Sequence, residues 1–409
     1  MKNGLLARVF GRRRENQDSR PKAQTFTLSS PEFFEAVALG ASSGTVTAQT
    51  ALKNTSVMRS VQLLSGVIGR IPSTIKRRTG DGGVEAAADH PLYVLFMHQP
   101  NDWQDVHKFK SLMQLWLLLH GNAYAQIVRS GRRVIALNPI HPARVLVEQA
   151  PDFSLTYQVT SGDRQTVKLG ARDVLHLRGI SEDGITGISP VKMAADVINS
   201  HIKATRAAER NFTNGMMVGG FLQMPENAER LSEDAFKRLK QQMEEKYSGP
   251  ENAGKWPILE SGLQANVINS TAVDAQLVEY SSALVEDIGR VFGVPRPLLG
   301  VDDTSWGSGV EQLAILFVRF TLATIFDSWE QAVKVALIPK DEWDTVFLDF
   351  DERELLRGTI KEQFEAFAKA AGAGGHQPWM EANEIREQMN MGAHPDGSGL
   401  KRSGKVDDE

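Results

Sequence analysis

The 409-residue sequence contains no cysteine. Disulfides and thiolate metal sites are therefore excluded, and a reducing compartment is permitted without being demonstrated. Long uncharged apolar runs are missing as well. The nearest are Leu112 to Leu119, which is short, and Ala314 to Phe326, which Arg319 interrupts; a membrane span needs about 20 such residues. Arg8, Arg12, Arg13 and Arg14 are followed by no long apolar stretch, so they do not read as a secretory signal. Nor is there an excess of positive charge, because 46 lysines and arginines face 50 carboxylates for a net charge of -4. That balance argues against a protein that grips nucleic-acid phosphates tightly and salt-sensitively, but it allows DNA to slide past. Hydrophobic content of 41% and charged content of 23% are ordinary for a globular protein, and the length suits two or three domains.

Catalytic signatures are scarce too. There is no Gly-rich phosphate loop ending in Gly-Lys-Ser/Thr, no histidine pair at helical spacing and no Gly-x-Ser-x-Gly elbow. His107 and His120 are far apart without a third ligand, and they read as helix-end histidines. Two carboxylate pairs remain, Asp302-Asp303 and Asp349-Phe350-Asp351. Paired carboxylates bind metals or share a proton. Asp349 and Asp351 would share one face of a strand, which defines the alternative reading: a metal-dependent nucleic-acid-processing enzyme using those two residues.

What is present is organised around a pivot. Gly293-Val294-Pro295-Arg296-Pro297-Leu298-Leu299-Gly300 stops a helix arriving from Ala275 to Phe292. A polar loop follows, Val301 to Gly309, comprising Asp302, Asp303, Thr304, Ser305, Trp306, Gly307 and Ser308. A long apolar helix is then expected from Val310 to Ile338, with Val310, Leu313, Ala314, Phe317, Thr321 and Ile325 on one stripe. A helix that apolar over most of its circumference is normally buried among others.

Upstream of the pivot, residues 1–50 read as a flexible basic arm and a small-residue linker. Helices are expected from Asn54 to Pro72 and from Asp105 to His120, with a strand at Ser73 to Arg78 and a hairpin turn at Gly80 to Gly83. Six short strands follow: Ala123 to Arg129, Val134 to Asn138, Val145 to Glu148, Leu155 to Val159, Thr166 to Leu169 and Val174 to Arg178. Their hairpin spacing is not the βαβ alternation of a nucleotide-binding sheet. Ser189-Pro190 then caps a long helix to about Phe212. Residues 218–270 form a small βαββ insert, with strands at Gly220 to Met224, Trp256 to Glu260 and Ala265 to Asn269 and a helix at Glu233 to Tyr247. A long helix out, a small unit and a long helix back describe a stalk with a tip. On the outgoing helix Lys203, Arg206 and Arg210 share a sector, and Glu279, Glu286 and Asp287 on the returning helix are their expected partners. The chain closes with a strand at Val346 to Phe350, helices at Leu355 to Ala371 and Pro378 to Met389, and a polar tail expected to be disordered over 392–409.

The ordered set of motifs resembles the portal protein family of tailed bacteriophages. The pieces are His90-Pro91-Leu92, Pro100-Asn101 with Trp103, Gly121-Asn122-Ala123-Tyr124, Asp173 to Gly179 and Gly187-Ile188-Ser189-Pro190. They continue with Asn211-Phe212, Asn214-Gly215, Phe292 to Pro295, Leu298-Leu299-Gly300, Glu311-Gln312 and Leu355-Leu356-Arg357-Gly358. The run spans roughly residues 50–370. It departs from the family where Ser308-Gly309-Val310 precede the Glu-Gln pair and where Met58-Arg59-Ser60 replace smaller residues.

The resemblance implies an α+β portal fold. Its parts would be a β-rich wing over 51–187, a stem helix over 188–217, a small α/β clip over 218–270 and a returning stem helix over 271–300. A tunnel loop over 301–309, a long helix and wing strand over 310–350 and a C-terminal helical crown over 351–391 would complete it. It also implies a ring of about twelve copies at one capsid vertex, assembled in the host bacterial cytoplasm and carried in the virion. Double-stranded DNA would pass through the ring during packaging and ejection. The large terminase subunit, the major capsid protein and a head-completion or adaptor protein would be its partners. It implies no enzymatic activity, no cofactor and no membrane. Asp302 to Ser308 would be the DNA-channel loop, and Lys203, Arg206 and Arg210 a ring of stem charge.

Overall fold

Polar side chains placed where the first helical N–H groups lack partners set the helix starts in this chain. The computed structural model describes residues 46–80, 82–162, 165–213, 219–223, 232–246, 264–268, 271–300, 309–352, 355, 360–373, 377–389 and 391–400. Thr47 opens α1 (Ala48–Ala51) by a reciprocal pair with Thr50, an element the apolar pattern did not announce. Asn54 opens α2 (Thr55–Arg70) by accepting the N–H groups of Ser56 and Val57. Strands β1 (Ser73–Arg78) and β2 (Val84–Ala86) follow. His90 then caps α3 (Pro91–Met97), and Asp105 caps α4 (Val106–His120).

Six strands come next, β3 (Asn122–Ser130), β4 (Arg133–Ile140), β5 (Val145–Gln149), β6 (Leu155–Thr160), β7 (Thr166–Gly170) and β8 (Val174–Arg178). They match the six expected from the turn residues and build two antiparallel sheets, ordered β4-β3-β8 and β5-β6-β7. Beyond them lie α5 (Pro190–Met193), α6 (Ala195–Thr213), β9 (Gly219–Gln223), α7 (Glu233–Lys246), β10 (Gln264–Ile268) and α8 (Thr271–Phe292). β9 and β10 pair antiparallel, so the insert is a hairpin carrying α7 between its strands. The expected strand Trp256 to Glu260 lies outside the described residues. The helix expected from Ser189 is broken at Ala194, whose backbone leaves the helical region between α5 and α6.

After the pivot come α9 (Gly309–Phe317), a π-helical turn (Val318–Leu322) and α10 (Ala323–Leu337). Val318, Leu322 and Phe326 are buried at a spacing of four residues. That spacing drifts around a regular helix, and the wider turn keeps all three on the core side. Strand β11 (Val346–Phe350) then pairs antiparallel with β1, with Ile75 opposite Leu348, giving the sheet β11-β1-β2. Helices α11 (Ile360–Ala370) and α12 (Ala382–Gln388) finish the fold. Residues 392–400 of the tail expected to be disordered instead fold back on α12. Asn383 accepts the N–H of His394 at 2.8 Å, donates to its carbonyl at 3.0 Å and reaches Ser398 Oγ at 3.1 Å. The architecture is α+β, as read from the sequence.

The main core sits where α2, α4, α10 and β11 meet. Trp329 is fully buried there and donates its indole N–H to Gln114 Oε1 at 3.0 Å. Phe109 and Phe350 present edges to it, and Phe326 stacks on Phe350 at 5.0 Å. A smaller core of Tyr124, Ile140, Val145, Tyr157 and Val174 holds the sheets β4-β3-β8 and β5-β6-β7 together.

Candidate assembly and conducting site

Two sequence motifs separated by more than sixty residues meet where the sheets hand the chain over to α5 and α6. Gly121 ends α4 in the left-handed region, at φ 77°, and a Cβ there would strike the backbone of Ile188. Beside it, Asn122 accepts the N–H of Gly187 at 2.7 Å and donates to the Gly187 carbonyl at 2.8 Å. His176 Nε2 bonds the same Asn122 oxygen at 2.9 Å, and its Nδ1 meets the Tyr157 hydroxyl at 3.2 Å. Asn122 Oδ1 can only accept, so Nε2 carries the proton and Nδ1 accepts from Tyr157. Burial, helped by Arg178, lowers the His176 pKa to about 3 and keeps the ring neutral. Ser189 accepts the N–H of Lys192 to start α5 and donates to the Leu119 carbonyl at 2.6 Å, capping one helix while binding the end of another. Both motifs were legible in the sequence; their meeting was not.

From this junction α6 runs out and packs along α8. Ile198 and Ala204 are buried, and His201 Nδ1 lies 2.6 Å from Asn54 Nδ2, so this side of α6 faces the body. Lys203 and Arg206 are exposed. Arg210 lies on the same helix, but its side chain falls outside the described residues. Of the acidic partners expected for these cations, Glu286 and Asp287 are both engaged by Arg290, and Glu286 also by Arg296. Glu279 is exposed.

The loop residues Asp302, Asp303, Thr304, Ser305, Trp306, Gly307 and Ser308 lie outside the described residues. The base from which the loop springs is described. Gly293 adopts φ 67°, and its carbonyl accepts the Thr321 hydroxyl at 2.7 Å. Arg59 Nε donates to the Leu298 carbonyl at 3.1 Å, and Arg296 pairs with Glu286. Sequence reasoning noted Arg59 only as a departure from a family pattern. Its role depends on α2 lying against the pivot, which no local signal encodes.

The carboxylates of the alternative reading are arranged differently from a metal pair. Asp349 meets the ammonium of Lys76 at 2.7 Å, so its charge is balanced by a cation of the chain. Asp351 stands beyond the end of β11 and donates its backbone N–H to the Pro72 carbonyl. Among the described residues, no cluster of three or more His, Asp or Glu could hold a metal ion. Glu330 lies nearby and accepts from the Phe350 N–H at 3.4 Å; burial, with Asp349, Asp327 and Glu352 close by, raises its pKa to about 7. Lys110 is buried beneath the same strand and donates to the Ile71 carbonyl at 2.6 Å and to Ser73 at 3.0 Å. Burial lowers its pKa to about 8. These groups brace the core around β1 and β11.

The described geometry comprises a sheet-rich body, a pair of long helices carrying a small βαβ tip, and a braced loop base leading into an apolar helix. The chain belongs to the phage portal protein family, whose pattern matches residues 55–390. It is 28% identical over 350 residues to the portal protein of Enterobacteria phage HK97, covering 85% of this chain and 80% of that one. It is also 28% identical over 410 residues to a probable portal protein of Streptomyces phage phiC31, covering 97% and 88%. Among solved structures it is similar to the neck of an empty gene transfer agent particle computed with C6 symmetry, at TM-score 0.61 and 20% identity over 88% of this chain and 99% of that one. A neck of the native particle computed with C12 symmetry gives TM-score 0.57 at the same identity and coverage.

Proposed function

We propose that this chain forms a homo-oligomeric ring, of about twelve copies, at one vertex of a phage capsid and conducts double-stranded DNA during packaging and ejection. The observation that carries this reading is the family match over residues 55–390, together with the C12 symmetry of a neck structure to which the chain is similar. In this reading the sheets and their flanking helices are the wing, α6 and α8 the stem, and the β9–α7–β10 hairpin the clip. Residues 301–309 are the tunnel loop, and α11 and α12 belong to the crown. The large terminase docks on the clip, a head-completion or adaptor protein replaces it, and the major capsid protein surrounds the wing. The ring itself performs no chemistry.

The net charge of -4 supports a conduit. A channel lined with lysines would hold each phosphate and slow transit, because every neutralised phosphate adds a salt-dependent term to binding. Native mass measurement and negative-stain imaging of the purified protein test the proposal. Closed rings with a central hole are expected, and a species without a hole at every concentration rejects it. Replacing Asp302 and Asp303 by lysine is expected to slow packaging in a salt-dependent way while leaving rings intact.

A further inference from the structure

Asn54 makes two kinds of hydrogen bond from one amide. Its oxygen accepts the N–H groups of Ser56 at 3.0 Å and Val57 at 3.2 Å, which opens α2. Only the oxygen of the amide can accept, so its nitrogen points the other way. There it lies 2.6 Å from Nδ1 of His201 on α6. An amide nitrogen only donates, so His201 Nδ1 accepts. The ring is therefore neutral in this arrangement, with its proton on Nε2. A second proton would enter at Nδ1 and set N–H against N–H across the same short distance. Asn54 is buried, which leaves its amide little water to turn to.

Turning the amide over offers no escape. A flipped Asn54 would present its oxygen to protonated His201, but it would also turn its nitrogen toward the N–H groups of Ser56 and Val57 and remove the cap of α2. Protonation thus costs either the contact with α6 or the start of α2. Neighbouring charges do not compensate. Helix α8 packs on both α2 and α6 and carries Glu279, Glu286, Asp287 and Arg290. Glu286 and Asp287 are engaged by arginines of their own. Helix α6 itself carries Asp196, Lys203, Arg206 and Glu209, all exposed, while Lys53 precedes Asn54 and Arg59 on α2 is turned to Leu298. Among the described residues no carboxylate pairs with His201, and burial alone lowers its pKa.

We propose that Asn54 and His201 form an acid-sensitive joint between the stalk helix α6 and the body, closed while His201 is neutral and opened when it is protonated. The joint belongs to a single chain and does not need the ring, so it goes beyond the assembly proposed above. In the open state the imidazole binds its proton with an ordinary pKa of about 6.5, and in the closed state it binds more weakly. Stability from the joint is therefore full above about pH 6.5 and is lost as pH falls below it. Because Ile198 and Ala204 flank His201 on the buried side of α6, opening frees the side on which the stalk meets the body.

Hydrogen exchange of the full-length protein tests the joint, read by mass spectrometry on peptides covering residues 52–60 and 195–206 and corrected for intrinsic exchange rates. Opening is expected to be about three- to tenfold more favourable at pH 5.5 than at pH 7.5, since about elevenfold is the ceiling for one histidine of ordinary pKa. His201→Gln can still accept from Asn54 and cannot titrate, so its change should stay below about twofold. Asn54→Asp keeps an oxygen on the N–H groups of α2 and places a carboxylate beside the ring. Its dependence should reverse, with slower exchange at pH 5.5. A wild-type acceleration below about twofold overturns the joint. So does an equal acceleration in His201→Gln, which would assign the response to another group such as His120, His141 or His176. An Asn54→Asp variant that still opens more readily at pH 5.5 overturns it as well.

Discussion

Thr321 donates its hydroxyl to the main-chain carbonyl of Gly293 across 2.7 Å, joining the π turn of the long helix to the residue that ends α8. The bond closes the base of the loop, since residue 293 lies before the loop and residue 321 after it. Thr321→Val keeps the shape and removes the donor, with an expected cost of about 1 kcal/mol. Gly293→Ala is expected to cost more, about 1–2 kcal/mol for the left-handed backbone alone. A Cβ there would also stand 3.0 Å from Thr321 Cγ2. Urea unfolding ranks the two variants, and hydrogen exchange over residues 293–300 should accelerate in both.

Asn122→Ala is expected to loosen the junction between the sheets and the stalk. It leaves the Gly187 N–H and carbonyl and His176 Nε2 without their partner. Each buried group left unpaired costs about 1–3 kcal/mol, so the unfolding midpoint should fall clearly. His176→Gln, which can still donate to Asn122, should be milder. Equal losses in both variants would show that the asparagine is not the centre of the network.

Glu330 gives a pH signature. Its folded pKa is raised to about 7 from an ordinary value of 4.5, mainly by burial. A carboxyl that holds its proton more tightly in the folded state contributes stability that is full below about 4.5 and is lost as pH rises through about 7. Glu330→Gln keeps the acceptor for the Phe350 N–H and cannot ionise. At pH 8 it is expected to be more stable than the wild type by about 1 kcal/mol, after allowance for partial exposure. At pH 4.5 the difference should vanish, as thermal unfolding across that range will read.

Lys110 has the opposite slope at alkaline pH. Burial lowers its folded pKa to about 8 from 10.5. Between those values the unfolded chain binds the proton and the folded chain does not, so stability from this group rises with pH across the window. Lys110→Met removes that rise, and the difference in unfolding free energy between the two proteins should change by roughly 2–3 kcal/mol from pH 8 to 10.5. A parallel pH dependence in both proteins would show that the ammonium is better solvated than its burial implies.

Much of the fold is written locally. The strands β3 to β8 were readable because glycines, prolines and aspartates bracket short alternating runs, and turn chemistry acts over a few residues. Ser189-Pro190 and Asn54 announced helix starts for the same reason, through capping bonds made within three residues. The stalk and its tip followed from the order of elements, and the family resemblance from the order of motifs. Long-range partners were not legible. The pairing of β11 with β1, the contact of Arg59 with Leu298 and the meeting of Asn122 with Gly187 each join residues whose separation along the chain carries no periodic signal. Arg290 engages Glu286 and Asp287 from helical spacing within α8, which is a local signal, whereas the contact of Arg296 with Glu286 depends on how the pivot folds. Even the apolar stripe of the long helix was half-informative. Its composition said that the helix is covered, but only the packed structure divides it into a buried half and a half whose apolar side chains still face solvent, because burial belongs to what surrounds a residue rather than to the residue itself.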